Sequence, residues 1–330
     1  MDALPAEAKE RILALDPQHV TEDVICDLLS KLPAPRIINI HGGLLPIKYR
    51  MNSFAQFLIG MGYPEASIRD PADGAYTYGY YDGSDKLAGA IAWYYERDGL
   101  RPMIVGHSLG GIQAIRVLHR LAGESGTTLT VWNPVTRCEE KRDVITDPLT
   151  GETRPVIGVQ VSYASAAVAG GLGRILPGQW DMNTKLRKIP DSVEEFSGFQ
   201  KGLDFLGGDF MGFGPANDYH PTGTAIVRNV RLPSLGGHTA LPDTKDLLKS
   251  QEIKDWINDY DPARFDSTEP QAAERAQKGL SETAPEVNLG TVFENARILW
   301  AAEVWHGIKK HWVLELQHLI QARSSQRYGE

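Results

Sequence analysis

The stretch Pro102-Met-Ile-Val-Gly-His-Ser-Leu-Gly-Gly111, continued by Ile112-Gln-Ala-Ile-Arg-Val-Leu-His-Arg-Leu121, decides how the rest of this chain is read. Its first half is a short apolar run, the pattern of a buried strand. Its second half is a helical stretch rich in Ile, Ala, Val and Leu. Ser108 sits on the glycine turn between them. A serine on so sharp a turn holds its hydroxyl clear of the sheet. Residues two before and two after it then pack against strand and helix backbone, so only small side chains fit. The helix that follows aims its N-terminus at the hydroxyl and favours negative charge developing there. With 33 glycines in 330 residues the bare G-x-S-x-G pattern carries little weight, and the flanking strand and helix give it meaning.

The same rhythm extends in both directions. Residues 6–31 read as one or two amphipathic helices, with Ile12, Leu13, Val20, Val24, Ile25, Leu28 and Leu29 on the apolar faces. Arg36-Ile-Ile-Asn-Ile-His-Gly-Gly43 reads as a buried strand feeding a tight glycine loop. Helices are expected over 51–61 and Asp85–Arg97, a strand at Ala66–Arg69, and a loop from Tyr76 to Tyr81. Further strands are expected at Thr128–Trp132, Val156–Ser162, Val193–Gln200 and Ala225–Leu232, and a helix at Asp243–Asn258. This alternation predicts an α/β protein with a mostly parallel central sheet and helices on both faces. Residues 164–189, Ala- and Gly-rich, interrupt the rhythm between two core strands. The organisation is then an N-terminal helical segment (1–32), an α/β domain (33–260) with that insertion, a linker rich in Pro, Glu, Ser, Ala and Thr (261–290), and a C-terminal amphipathic helix (291–330).

Composition narrows the function classes. Hydrophobic residues at 42% and charged residues at 23% suit a soluble globular protein with a large core. A net charge of -8, with no basic run, excludes nucleic acid as a partner. No apolar run reaches the ~18 residues needed to span a bilayer. The acidic start Met-Asp-Ala-Leu-Pro-Ala-Glu lacks a signal pattern, so a cytoplasmic location is the expectation. Cys26 and Cys138 lie far apart and are expected as free thiols. His306, His311 and His318 are poorly spaced for a shared metal on one helix, and they read as solvated or packing residues.

Gly106-His-Ser-Leu-Gly-Gly111 resembles the nucleophile elbow of the α/β-hydrolase superfamily, in the form common among lipases and esterases. The resemblance covers about residues 33–260 and implies a nucleophile at Ser108 with chain order Ser, acid, His. His41-Gly42-Gly43-Leu44 resembles the family loop that donates a backbone N–H to an oxyanion, the second donor being the N–H of Leu109. Gly43 is taken as the loop donor, with Leu44 as the alternative. One esterase branch carries three glycines where this chain has two, which leaves the subfamily open. The family places its base on a loop after the last core strands, which implies His238, with His220 as second choice. His107, inside the elbow, is badly placed to act as base. For the acid, Gly202-Leu-Asp204 resembles the strand-ending G-x-D arrangement and favours Asp204, with Asp209 and Asp218 remaining open.

What the resemblance implies is hydrolysis of a carboxylic ester, esterase- or lipase-like, through Ser108, His238 and Asp204, with no metal or organic cofactor. The implied substrate is a small-molecule acyl ester or a lipid. An acyltransferase that excludes water and a non-catalytic hydrolase-like binding protein are the alternatives. Residues 164–189 stand where the family inserts a lid. Ala164, Val168, Leu172, Ile175, Leu176 and Trp180 would then line an acyl pocket. The stripe Ile298, Ala302, Trp305, Trp312, Leu316 and Leu319 predicts packing of the last helix on the body, with a homodimer seam as the alternative.

Overall fold

The computed structural model describes residues 4–124, 126, 128–170, 178–201, 204, 217–232, 238–264 and 292–328. Helices α1 (Ala6–Leu13) and α2 (Glu22–Asp27) precede strand β1 (Ile37–His41). Then come α3 (Leu45–Gly60), β2 (Tyr78–Gly79), α4 (Ser84–Asp98), β3 (Met103–His107) and α5 (Leu109–Leu121). Two small hairpins follow, β4 (Trp132–Asn133) with β5 (Cys138–Glu139) and β6 (Val144–Thr146) with β7 (Thr153–Pro155). The remaining strands are β8 (Val161–Ala167), β9 (Lys188–Ile189), β10 (Val193–Lys201), β11 (His220–Pro221) and β12 (Ile226–Leu232). Helix α6 (Gln251–Asn258) and the terminal helix (Val292–Tyr328) complete the described chain.

Six strands form one sheet in the order β12-β10-β8-β3-β1-β2, and every pairing in it is parallel. Parallel strands buried on both faces need apolar residues on both sides. In β3, Met103 and Val105 enter one core and Ile104 the other. The first core takes α3, α6 and the terminal helix, and the second takes α4 and α5. From β1 the chain moves outward to β2, then crosses back to β3 on the other side of β1. That reversal is a topological switch point. Loops leaving β1 and β3 diverge there and open a crevice at the carboxyl ends of the strands.

The terminal helix belongs to the body. All six residues of its predicted apolar stripe are buried inside the chain, so no dimer seam is left on that face. Polar contacts tie it down as well. The Trp312 indole donates to the Pro33 carbonyl at 2.9 Å, and the Trp305 indole donates to Asn258 Oδ1 at 2.9 Å. Glu303 accepts from Arg228 of β12 at 2.7 Å, and Glu315 accepts from the Arg101 guanidinium at 2.6 Å. Buried charges persist only when paired in this way. His306 is buried on the same helix, and burial followed by the nearby charge of Lys309 lowers its pKa to about 4. No described helix is long and apolar enough to cross a membrane. Cys26 and Cys138 are free and exposed.

Several expected elements move, each for a local reason. Helix α3 begins at Leu45 rather than residue 51, with Pro46 in its first turn where a missing N–H costs nothing. Ala66–Arg69 is no strand, because Arg36 donates to the carbonyls of Ala66 and Arg69 and holds a single turn at Glu65–Ser67. The expected Tyr76–Tyr81 loop contains the edge strand β2. Thr128–Trp132 crosses α4 instead of joining the sheet, since a Cβ on Gly89 would stand 2.2 Å from the Thr130 carbonyl. The strand expected at Val156–Ser162 starts only at Val161, after a turn in which Gly158 takes a φ of 93°. Ala164–Ala167 is therefore central strand rather than insertion. The helix expected at Asp243–Asn258 is interrupted at Ser250, which caps α6 by accepting from the Ile253 amide at 3.3 Å. The expected linker lies outside the described residues from position 265 on.

Two outcomes test this packing. Trp312→Ala should lower the unfolding free energy by about 3–5 kcal/mol in urea titrations. For His306 the folded-state pKa lies below that of the unfolded chain, near 6.5. Its contribution is intact above pH 6.5 and is lost as the pH falls towards 4, where only the unfolded chain gains the proton. His306→Gln should flatten the stability profile across that window by up to roughly 1.4 kcal/mol per pH unit.

Candidate active site

Ser108 has φ 58° and ψ -125°, a strained conformation for a residue with a side chain. Its backbone is pinned on both sides. The amide donates to the Ala167 carbonyl at the end of β8 at 2.8 Å, and its carbonyl accepts from the Gly111 amide at 2.9 Å. Three neighbouring glycines make room for this. A Cβ on Gly106 would stand 2.4 Å from the Gly110 carbonyl oxygen, and one on Gly110 would stand 2.2 Å from the Ile40 carbonyl oxygen. A Cβ on Gly111 would stand 2.7 Å from Ala169 Cβ. Helix α5 thus lies with its first turn directly against the ends of β1 and β3.

Two distant segments reach the serine hydroxyl. His238 Nε2 lies 2.7 Å from Ser108 Oγ, and its Nδ1 lies 2.7 Å from Asp204 Oδ2. With Nδ1 donating to the carboxylate, Nε2 is the acceptor facing the hydroxyl. The His238 and Asp204 side chains are 6% and 3% exposed, so their contact is shielded from water. Asp204 follows β10, and His238 opens a single turn at His238–Ala240. Buried Lys201 closes β10 beside Asp204. Burial lowers its pKa, and the Asp204 charge works against that effect.

The histidine loop is held from beneath. His107 Nε2 donates to the His238 carbonyl at 3.0 Å, and Arg50 of α3 donates to the Thr239 hydroxyl. His107 is buried, and burial, reinforced by His238, keeps its pKa well below the usual imidazole range. It is therefore a neutral ring donating through Nε2. Reading the sequence finds no use for His107. Its signal is that a polar residue closing a buried apolar strand must have a partner.

The loop after β1 runs along the elbow. A Cβ on Gly42 would stand 2.9 Å from Ser108 Cβ, and one on Gly43 would stand 2.7 Å from Leu109 Cδ1. Leu109 is the first residue of α5, so its amide has no intrahelical acceptor. Leu44 caps α3, its carbonyl accepting from the Ile47 amide at 2.9 Å. His41 Nδ1 lies 2.8 Å from the Gly42 carbonyl, and burial lowers the pKa of this ring too.

Other candidates stand elsewhere. His220 is exposed in β11, paired in register with Lys188. Asp218 accepts from Arg231 at 2.8 Å and from Gln200 at 2.9 Å, bound to β10 and β12. Asp209 lies outside the described residues, as do Gly202 and Leu203. Within 164–189, Ala164 and Val168 are buried in the body, while Leu172, Ile175 and Leu176 lie outside the described residues. Trp180 is 66% exposed. Its neighbour Asp181 pairs with Arg116 at 2.9 Å, two turns along α5 from the serine. Among the described residues no cluster of His, Cys, Asp or Glu suits a metal ion. No protein-family model matches the chain, and neither a curated protein nor a solved structure matches it.

The close approach at Gly110 has a measurable consequence. Gly110→Ala must push α5 away from a backbone carbonyl, and overpacking of this kind costs roughly 1–3 kcal/mol or more. Gly83→Ala, whose added Cβ would meet nothing closer than 3.8 Å, should change the urea midpoint far less.

Proposed function

We propose that this chain is a serine hydrolase of the α/β-hydrolase class that cleaves carboxylic esters through a covalent acyl-enzyme. The observation that carries the reading is the continuous line from Ser108 Oγ through His238 to Asp204, with both contacts at 2.7 Å. A hydroxyl, an imidazole and a buried carboxylate in that order form a nucleophile, its base and the group that orients the base. The strained serine at a sheet's switch point supports the same conclusion, as does its place before the first turn of α5.

In this mechanism Ser108 Oγ attacks the acyl carbonyl while His238 Nε2 takes its proton. Asp204 holds the Nδ1–H and stabilises the imidazolium. The carbonyl oxygen becomes an oxyanion that accepts from the amides of Gly43 and Leu109. The tetrahedral intermediate collapses, the alkoxide leaves with the proton from Nε2, and the acyl group remains on Ser108. Water, deprotonated by His238, then attacks the acyl-enzyme and releases the acid.

Ser108→Ala and His238→Ala should each lower kcat/KM on p-nitrophenyl butyrate by about 10⁴-fold or more without altering circular dichroism. Asp204→Asn should cost far more than Asp218→Asn, which should stay within a few-fold of the parent. A fluorophosphonate probe should label Ser108 alone. Labelling that persists in Ser108→Ala would refute the assignment.

A further inference from the structure

The peptide that joins Gly42 to Gly43 has a glycine on each side, and such a plane turns over at little steric cost. Its orientation nevertheless decides the chemistry proposed above. The peptide is trans, so its C=O and N–H point in opposite directions. One orientation offers the Gly43 N–H to an oxyanion on Ser108. The reverse would turn the Gly42 carbonyl oxygen towards the same negative charge. A loop built from two glycines therefore needs something to fix this plane.

The structure fixes it by the carbonyl end. His41 Nδ1 lies 2.8 Å from the Gly42 carbonyl oxygen. A carbonyl oxygen only accepts, so Nδ1 carries the proton of this bond. The ring is buried, and burial lowers its pKa, which leaves it neutral at pH 7 with its one proton on Nδ1. It stands edge-on to Tyr81, 6.2 Å between ring centres, just past the end of β2. Strand β1 pairs with β2 on that side and with β3, which leads to Ser108, on the other. With the carbonyl anchored to His41, the N–H of the same peptide is turned away from that ring. Among the described residues the Gly43 amide donates to nothing, while the loop stays close to the elbow, a Cβ on Gly42 standing 2.9 Å from Ser108 Cβ.

We infer that His41 is a positioning residue: its bond to the Gly42 carbonyl latches the Gly42–Gly43 peptide with the Gly43 N–H turned to the oxyanion. The inference rests on the serine hydrolase reading and deepens it, by naming the side chain that prepares the loop donor. His41 touches no reacting atom. It acts before substrate arrives, because a donor already aimed needs no reorganisation when charge develops. Donation into a peptide carbonyl also polarises the N–H of the same peptide and strengthens it as a donor.

Two substitutions test the latch atom by atom. Asparagine places its amide nitrogen where Nδ1 stands, and glutamine places it where Nε2 stands. On p-nitrophenyl butyrate, His41→Gln should lower kcat about tenfold or more, a part of what losing an oxyanion donor outright costs, with KM changed less than about twofold. His41→Asn should recover most of that loss. Affinity for butylboronic acid, which forms a tetrahedral adduct on the serine, should fall with kcat in His41→Gln and recover in His41→Asn. The Gly43 amide proton should move downfield on adding the boronic acid to the parent and to His41→Asn, and not in His41→Gln. Equal losses in the two variants, no loss in either, or a loss confined to KM would overturn the inference. Turnover by the parent with an unmoved Gly43 amide proton would overturn it too. A parent that neither turns over the ester nor takes a fluorophosphonate on Ser108 would instead refute the hydrolase reading, and the latch with it.

Discussion

The backbone contact between Gly110 and the Ile40 carbonyl is the constraint on which the candidate site depends. A single methyl group there would stand 2.2 Å from a carbonyl oxygen that cannot yield. Because Gly106, Gly110 and Gly111 carry no side chain, α5 can lie flat across the ends of β1 and β3. That closeness puts Ser108 at the switch point and brings Gly42 within van der Waals contact of it. The run continues into β8 and the residues after it, where Ala166 and Ala169 keep the helix-facing surface low. The strain at Ser108 is tolerated because the bonds to Ala167 and Gly111 over-determine its backbone.

The rest of the sheet serves to bring two further residues to that point. Asp204 follows β10, two strands from β3, and His238 lies beyond β12, the third strand away. Neither arrives by local structure. His238 is 130 residues from Ser108 in sequence, and its loop is held by His107 beneath and by Arg50 from α3. The outer strands owe their position partly to the terminal helix. It grips β12 through Arg228 and Glu303, and grips β10 through Lys310 and Glu195 at 2.5 Å. The last helix therefore acts on the site at long range, by fixing the strands from which Asp204 and His238 emerge.

Legibility in the sequence followed local signal. The strand, glycine turn and helix around Ser108 were readable because their apolar pattern and their small residues agree with each other. The strands holding β10 and β12 were readable for the same reason. Strand β8 was misplaced because Ala164–Ala167 looks like irregular sequence, while the structure uses those small side chains for close helix packing. Strand β2 was missed because two residues carry no periodicity. Thr128–Trp132 has the alternation of a strand, but its apolar residues pack on α4 across Gly89. The juxtaposition of Ser108, Asp204 and His238 followed from a resemblance and chain order, since contacts 34 and 130 residues apart leave no local trace.

The central claim is a covalent acyl-enzyme on Ser108, and rapid-quench mass spectrometry tests it most directly. Protein mixed with p-nitrophenyl butyrate and quenched in acid during the first turnover should carry one butyryl group on the peptide containing Ser108. An equivalent burst of p-nitrophenol should accompany it. Turnover without any burst or adduct, or an adduct on another residue, would contradict the account.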